Sequence, residues 1–174
     1  MQENKEFIID SIKTEFEALK NWAQKKDNQS FNKGPAGKWT AAQHIDHLIK
    51  ATKPLNRALK MPKLVLGTMF GKAERESERY IEVVGKYQTA LSKGAVAEGE
   101  FVPDVIIDGH IDSSIDELEK QIKDLVEYLV IWDEIEMDTY LLPHPLLGKM
   151  TVREILLWSA YHTQHHRLRL EKDY

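Results

Sequence analysis

TVREILLWSAYHTQHHRLRLEKDY, residues 151–174, contains neither glycine nor proline and opens with a helix-start signal. In Thr151-x-x-Glu154 the threonine hydroxyl can accept from the backbone N–H three residues on, while the glutamate reaches back to the threonine N–H. A long final helix is therefore expected. It carries His162 and His166, which four residues of helix bring to one face, about one turn apart. Neutral imidazole is the commonest nitrogen ligand of divalent metals, so this pair would hold one side of a metal ion if the chain supplies a third ligand.

Outward from this helix, the chain reads as more of the same. LLPHPLLGK (141–149) turns the chain, and DEIEMDTY (133–140) frays the helix before it. That helix begins near Ser114, where Ser114-x-x-Glu117 repeats the capping form, and its apolar stripe is Ile115, Leu118, Ile122, Leu125, Leu129 and Trp132. Residues 94–112 read as irregular. Glu74 to Lys93 reads as a helix with Tyr80, Val84, Tyr87 and Leu91 on one face and Gly94 as its stop. KMPKLVLGTMFGKA (60–73) has no clear period and is expected to be a loop over one end of the core.

Thr40-Ala41-Ala42-Gln43 is another capping box, with Trp39 placed as a hydrophobic staple; Ile45, Leu48, Ile49, Thr52 and Leu55 continue the helix. Pro54 should kink or end it, because proline lacks the N–H and crowds the preceding turn. Residues 27–38 form a Gly/Pro/Asn-rich loop. Residues 4–26 space Ile8, Ile12, Phe16, Leu19 and Trp22 at helical intervals. The runs KAERESER and DELEKQIKD read as solvated helix faces. The pattern predicts an all-α four-helix bundle, residues 1–174 as one domain, with an irregular or helical insertion near residues 61–112 between the second and third core helices.

Composition agrees. The chain has 174 residues, 42% hydrophobic and 30% charged, which suits a core-forming soluble domain. A net charge of −4 is unlike the basic footprint of a nucleic-acid binder. There is no cysteine, which excludes disulfides, thiolate ligands and a cysteine nucleophile. No signal peptide or membrane-spanning run is apparent, and a cytoplasmic location is the expectation. An apolar helix face of a bundle this size would also serve a homodimer.

For the third ligand, His110 lies in a loop, and His144 sits between Pro143 and Pro145 in a segment expected to be exposed or packed at a bundle end. His44 and His47 share the first two turns of the second helix, and periodicity barely separates them. His165 competes with His166, although the offset of about 40° between residues four apart aligns His162 better with His166. Taken alone, such spacing is also what half-buried polar residues produce. Trp39, Trp132 and Trp158 read as core and staple residues. Asp46 and the Asp133–Glu136 stretch are the carboxylates proposed as a general base.

KWTAAQHIDHL and LLPHPLLGKMTVREILLWSAYHTQHHRLRLE together resemble the DinB-like superfamily, also called YfiT-like metal-dependent hydrolases. The recurring pattern is Trp-Ser/Thr at a helix start, His-Leu some eight residues later, and a late His-x-x-x-His. Trp39-Thr40, His47-Leu48, and His162 with His166 match it; residues 61–112 do not resemble the family closely. The resemblance implies that His47, His162 and His166 hold one divalent metal, zinc or nickel, with positions left open for water or a small-molecule substrate. It further implies metal-dependent transfer of a low-molecular-weight thiol (bacillithiol or mycothiol) to an electrophile, with hydrolysis, or non-catalytic binding of metal or a small ligand as a stress protein, as alternatives. One departure stands out: many members carry Gln three residues after the last histidine, where this chain has Arg169.

Overall fold

A computed structural model describes residues 3–106 and 108–174 of the protein. Met1, Gln2 and Ile107, the last within the stretch expected to be irregular, lie outside the described residues. Four long helices form the bundle: α1 (Lys5–Ala23), α3 (Ala41–Lys60), α6 (Ile111–Val130) and α8 (Val152–Asp173). α3 packs on α6 and α1 on α8, and contacts of α1 with α6 and of α3 with α8 close the ring. Between α1 and α3 lies a single-turn helix, α2 (Asn28–Phe31), started by Asp27, whose carboxylate accepts from Ser30 N–H at 2.7 Å. The core is the set of apolar stripes read from the sequence, including Ile8, Ile12, Phe16 and Leu19 of α1 and Ile115, Leu118, Ile122, Leu125 and Leu129 of α6.

Two capping boxes hold as expected. Thr40 and Gln43 start α3, and Thr151 and Glu154 start α8. The third does not: α6 begins at Ile111, and Ser114 lies inside its first turn. The cap comes from elsewhere in the chain, since Asn28 Oδ1 accepts from the Ile111 N–H at 3.0 Å.

Pro54 neither ends α3 nor interrupts it. A proline there removes one backbone bond to the carbonyl of Lys50. Beyond it, Leu55 and Leu59 are buried, Asn56 donates to the Gln121 carbonyl and side chain at 2.9 and 3.0 Å, and Trp132 Nε1–H donates to the Leu59 carbonyl. Tertiary attachment to α6 outweighs the lost bond.

The insertion is more ordered than the sequence suggested. Residues 60–73 contain a helix, α4 (Lys63–Phe70). α5 spans only Tyr80–Ser92, and residues 74–79 are not helical, so KAERESER is no solvated helix face. These residues are instead tied to the start of α8. Arg75 makes a bidentate ion pair with Glu154, the Glu78 N–H donates to Glu154 at 2.7 Å, and Ser77 Oγ bonds Thr151 Oγ1 at 2.8 Å. Glu154 is 1% exposed. A 3₁₀ turn at Gly99–Phe101 follows α5.

Two further departures complete the fold. DEIEMDTY does not fray but forms α7 (Glu134–Thr139), with its own capping box from Asp133 and Glu136. LLPHPLLGK forms most of a β-hairpin, in which β1 (Leu141–His144) pairs antiparallel with β2 (Gly148–Thr151), His144 opposite Gly148. The turn is held by His144 Nδ1, which accepts from the N–H groups of both Leu146 and Leu147 at 3.1 Å. Gly148, at φ +74°, supplies the left-handed residue that closes it.

The tie at Glu154 yields a test. Glu154→Ala leaves buried N–H groups and Arg75 without their acceptor, and is expected to cost about 3 kcal/mol. Glu82→Ala, which removes the exposed cap of α5, should cost less than about 1 kcal/mol in the same urea denaturation. Equal costs would refute the central place given to Glu154.

Candidate metal centre

Helices α3 and α8 bring five of the seven histidines together. His44 and His47 come from the first turns of α3, and His162, His165 and His166 from the middle of α8. His47, His162 and His166 are all buried, and each turns a ring nitrogen toward one point, the three nitrogens lying within 4.8 Å of one another. His162 Nε2 is 3.1 Å from both His47 Nε2 and His166 Nε2. Metal–nitrogen bonds of 2.0–2.1 Å in a tetrahedral arrangement place nitrogens about 3.3 Å apart, close to the two separations from His162.

The outer nitrogens fix the tautomers. His47 Nδ1 is 2.6 Å from the Phe101 carbonyl, which can only accept, so the proton sits on Nδ1 and the Nε2 lone pair faces inward. His166 Nδ1 meets His44 Nδ1 at 2.7 Å. A proton on His166 Nδ1, donated to His44, likewise leaves His166 Nε2 free to bind. Ligand histidines are usually oriented by such outer partners. Sequence reasoning weighed His44 against His47 as alternatives; the structure uses both, His47 in the trio and His44 behind His166. The signal was present in their spacing of three, which puts both near one face.

Electrostatics keep the site neutral. Burial drives the pKa of His162 and His166 well below the usual imidazole value, and the proximity of His47 and His165 acts on both in the same direction. Burial, the Arg169 charge and the proximity of His47 lower His44 to about 4. His47 is also lowered by burial, against the pull of its bond to Phe101. Unprotonated imidazoles are the form a cation needs.

The trio lies in the wall of a cavity of about 930 Å³. Trp158 is in the core, as expected, and also stacks on His162 with ring centroids 4.4 Å apart, while Trp39, expected as a staple, stacks on His166 at 6.2 Å. Trp132 is core, as expected. His144, expected at an exposed or end position, is buried in the cavity wall, and Arg169 lines the same cavity. His165 is half-buried beside Tyr87 and outside the trio, and His110 lies away from the cavity as the N-cap of α6. The carboxylates proposed as general base are elsewhere. Asp46 pairs with Lys50 and accepts from Asp104 N–H, while Asp133 caps α7 and Glu136 pairs with Lys63. The carboxylates that do line the cavity are Glu98 and Asp173.

A sequence model of the DinB superfamily matches residues 14–170. The chain belongs to the DinB superfamily. Among solved structures, the crystal structure of TT2238, a four-helix bundle protein, superposes with a TM-score of 0.61 at 14% identity, covering 98% of this chain and 100% of that one. At that identity the likeness speaks for the fold alone. No match was found among curated proteins. The three buried histidines of this DinB-superfamily chain could hold a metal ion. Among the described residues no helix is long and apolar enough to cross a membrane.

Burying neutral histidines makes stability depend on pH. A histidine held near 4 in the folded protein but titrating near 6.5 when unfolded gives the unfolded state more protons between those values. Stability is therefore fully present above pH 6.5 and lost as pH falls toward 4, by up to about 3 kcal/mol for a single such group. The urea midpoint of chelator-treated protein is expected to drop steadily from pH 7 to pH 4.5. A flat profile would contradict the buried neutral state.

Proposed function

We propose that His47, His162 and His166 bind one divalent metal ion, zinc or nickel, and that the protein is a metal-dependent enzyme transferring a low-molecular-weight thiol to a small electrophile. The convergence of three neutral imidazoles on one wall of a large cavity carries this reading. A divalent ion held there supplies Lewis acidity, lowering the pKa of a thiol or water or polarising a substrate oxygen. The protein contributes three ligands and leaves the cavity side open, the arrangement of catalytic rather than structural sites.

Several features favour thiol transfer over hydrolysis. A cavity of about 930 Å³ sits at the upper end of the usual range for small-molecule sites and has room for two reactants. Arg169 and Lys172 add positive charge to its wall, which suits an anionic thiol cofactor. The chain has no cysteine, so any sulfur nucleophile comes from outside. In the transfer, the thiol gives up its proton to solvent water, its sulfur electron pair forms the bond to the electrophilic carbon, and the leaving group departs as an anion with its own bonding pair. Trp39 and Trp158 hold the His166 and His162 rings in place by stacking, while the Phe101 carbonyl and His44 hold the protons of His47 and His166 on their outer nitrogens.

Elemental analysis of tag-free protein tests the site. About one metal per chain is expected, lost in His47→Ala, His162→Ala and His166→Ala but kept in His165→Ala. His44→Ala should keep the stoichiometry and weaken affinity about 10- to 100-fold. Activity is then followed as conjugation of monobromobimane to a panel of low-molecular-weight thiols, with and without chelator. Full metal content in any of the three ligand variants would overturn the ligand set. Metal-dependent ester hydrolysis with no thiol conjugation would instead favour the hydrolase.

A further inference from the structure

Two buried nitrogens beside the histidine trio have no hydrogen-bond partner among the described residues: His144 Nε2 and Trp158 Nε1. Their residues are 5% and 9% exposed, and both line the cavity. The protonation of His144 follows from its turn. Its Nδ1 accepts from the N–H groups of Leu146 and Leu147, so in the neutral ring the proton is on Nε2, which is a donor. Trp158 Nε1–H is a donor without alternative. Two donors, contributed by β1 and α8, thus stand in rings whose centroids are 4.3 Å apart.

We propose that His144 Nε2–H and Trp158 Nε1–H form a subsite for a carbonyl or carboxylate oxygen of the small molecule that enters the cavity. Buried donors are rarely left unmade, because an unmatched N–H keeps its full desolvation penalty. The near-perpendicular rings of Tyr87 and His144 against Trp158 offer only weak N–H···π contacts, which leave that demand unmet. An acceptor with two lone pairs suits two donors, and neither donor brings a proton it would surrender. Around them Tyr87, Leu142, Leu146 and Ile155 give the cavity apolar walls. The ligand class is therefore an apolar small molecule ending in a carbonyl-type oxygen. Because Trp158 stacks on His162 at 4.4 Å, an oxygen held here places the rest of the molecule beside the trio. The inference rests on the cavity's admitting a small molecule, and on neither the metal nor the reaction proposed above.

The test uses ¹⁵N-labelled full-length protein and its four tryptophan indole signals, that of Trp158 being identified by its loss in Trp158→Phe. The probes are 3-phenylpropionamide, 3-phenylpropionate and, as a control without oxygen, propylbenzene. The amide and the acid are expected to move the Trp158 indole proton downfield, both with zinc added and with chelator, while propylbenzene leaves it in place. Trp158→Phe keeps an aromatic ring and removes the donor. His144→Asn keeps an acceptor for the turn and removes the Nε2 donor. Each should weaken amide binding about three- to tenfold, the range for one neutral hydrogen bond. Absence of binding by both oxygen-bearing probes, binding that leaves the Trp158 signal unmoved, or unchanged affinity in both variants would overturn the subsite. Binding seen only with zinc would also overturn it, by placing the oxygen on the metal. Protein that holds no metal yet shows the shift would fail the proposed enzyme while sustaining the subsite.

Discussion

Three imidazole nitrogens facing one another within 4.8 Å is an arrangement that folding must impose. Inward lone pairs repel, and burial strips the rings of the water that would otherwise stabilise a charge. The bundle meets this by giving two of the rings an outer partner. The Phe101 carbonyl accepts a hydrogen bond from His47 Nδ1–H, and His44 faces the outer nitrogen of His166. Trp39 and Trp158 then cover two of the rings with flat apolar surface. The packing of α3 on α6 and of α1 on α8 serves, at this end of the molecule, to keep α3 and α8 at the separation the three nitrogens need.

Much of this was legible in the sequence, because the relevant signals are local. The boxes at Thr40 and Thr151 set the start of both site-bearing helices, and four-residue spacing aligned His162 with His166. The third member was not decidable from spacing, since His44 and His47 lie near one helix face and their roles diverge only through groups distant in sequence. The same holds for the other misses. Ser114 lost the start of α6 to Asn28, more than eighty residues away in the chain. The 74–79 segment, which has helical composition, is drawn out of helix by the buried carboxylate of Glu154. Pro54 is overridden by packing on the far side of it. The hairpin strands span four residues each, too short for a period to register.

The two tryptophans show how residue type alone misleads. Large aromatic side chains at helical spacing normally mean core, and Trp132 obeys, buried with its N–H on the Leu59 carbonyl. Trp158 is also buried, though 9% exposed where Trp132 is 0%, and leaves its N–H unmatched among the described residues. The two differ in their hydrogen bonds, since the N–H of Trp132 is matched and that of Trp158 is not.

The carbonyl that orients His47 belongs to a 3₁₀ turn in the insertion, outside the four-helix framework. That turn is strapped to α3 by Lys50 on the Val102 carbonyl and by Asp46 and Gln43 on the backbone of Asp104. The orientation of His47 and the order of the loop are thus thermodynamically linked, and whatever tightens one tightens the other by the same free energy. Loops tolerate changes in length and composition that helices do not. The insertion is accordingly a place where a change of sequence would re-aim His47 while leaving the three histidines themselves untouched.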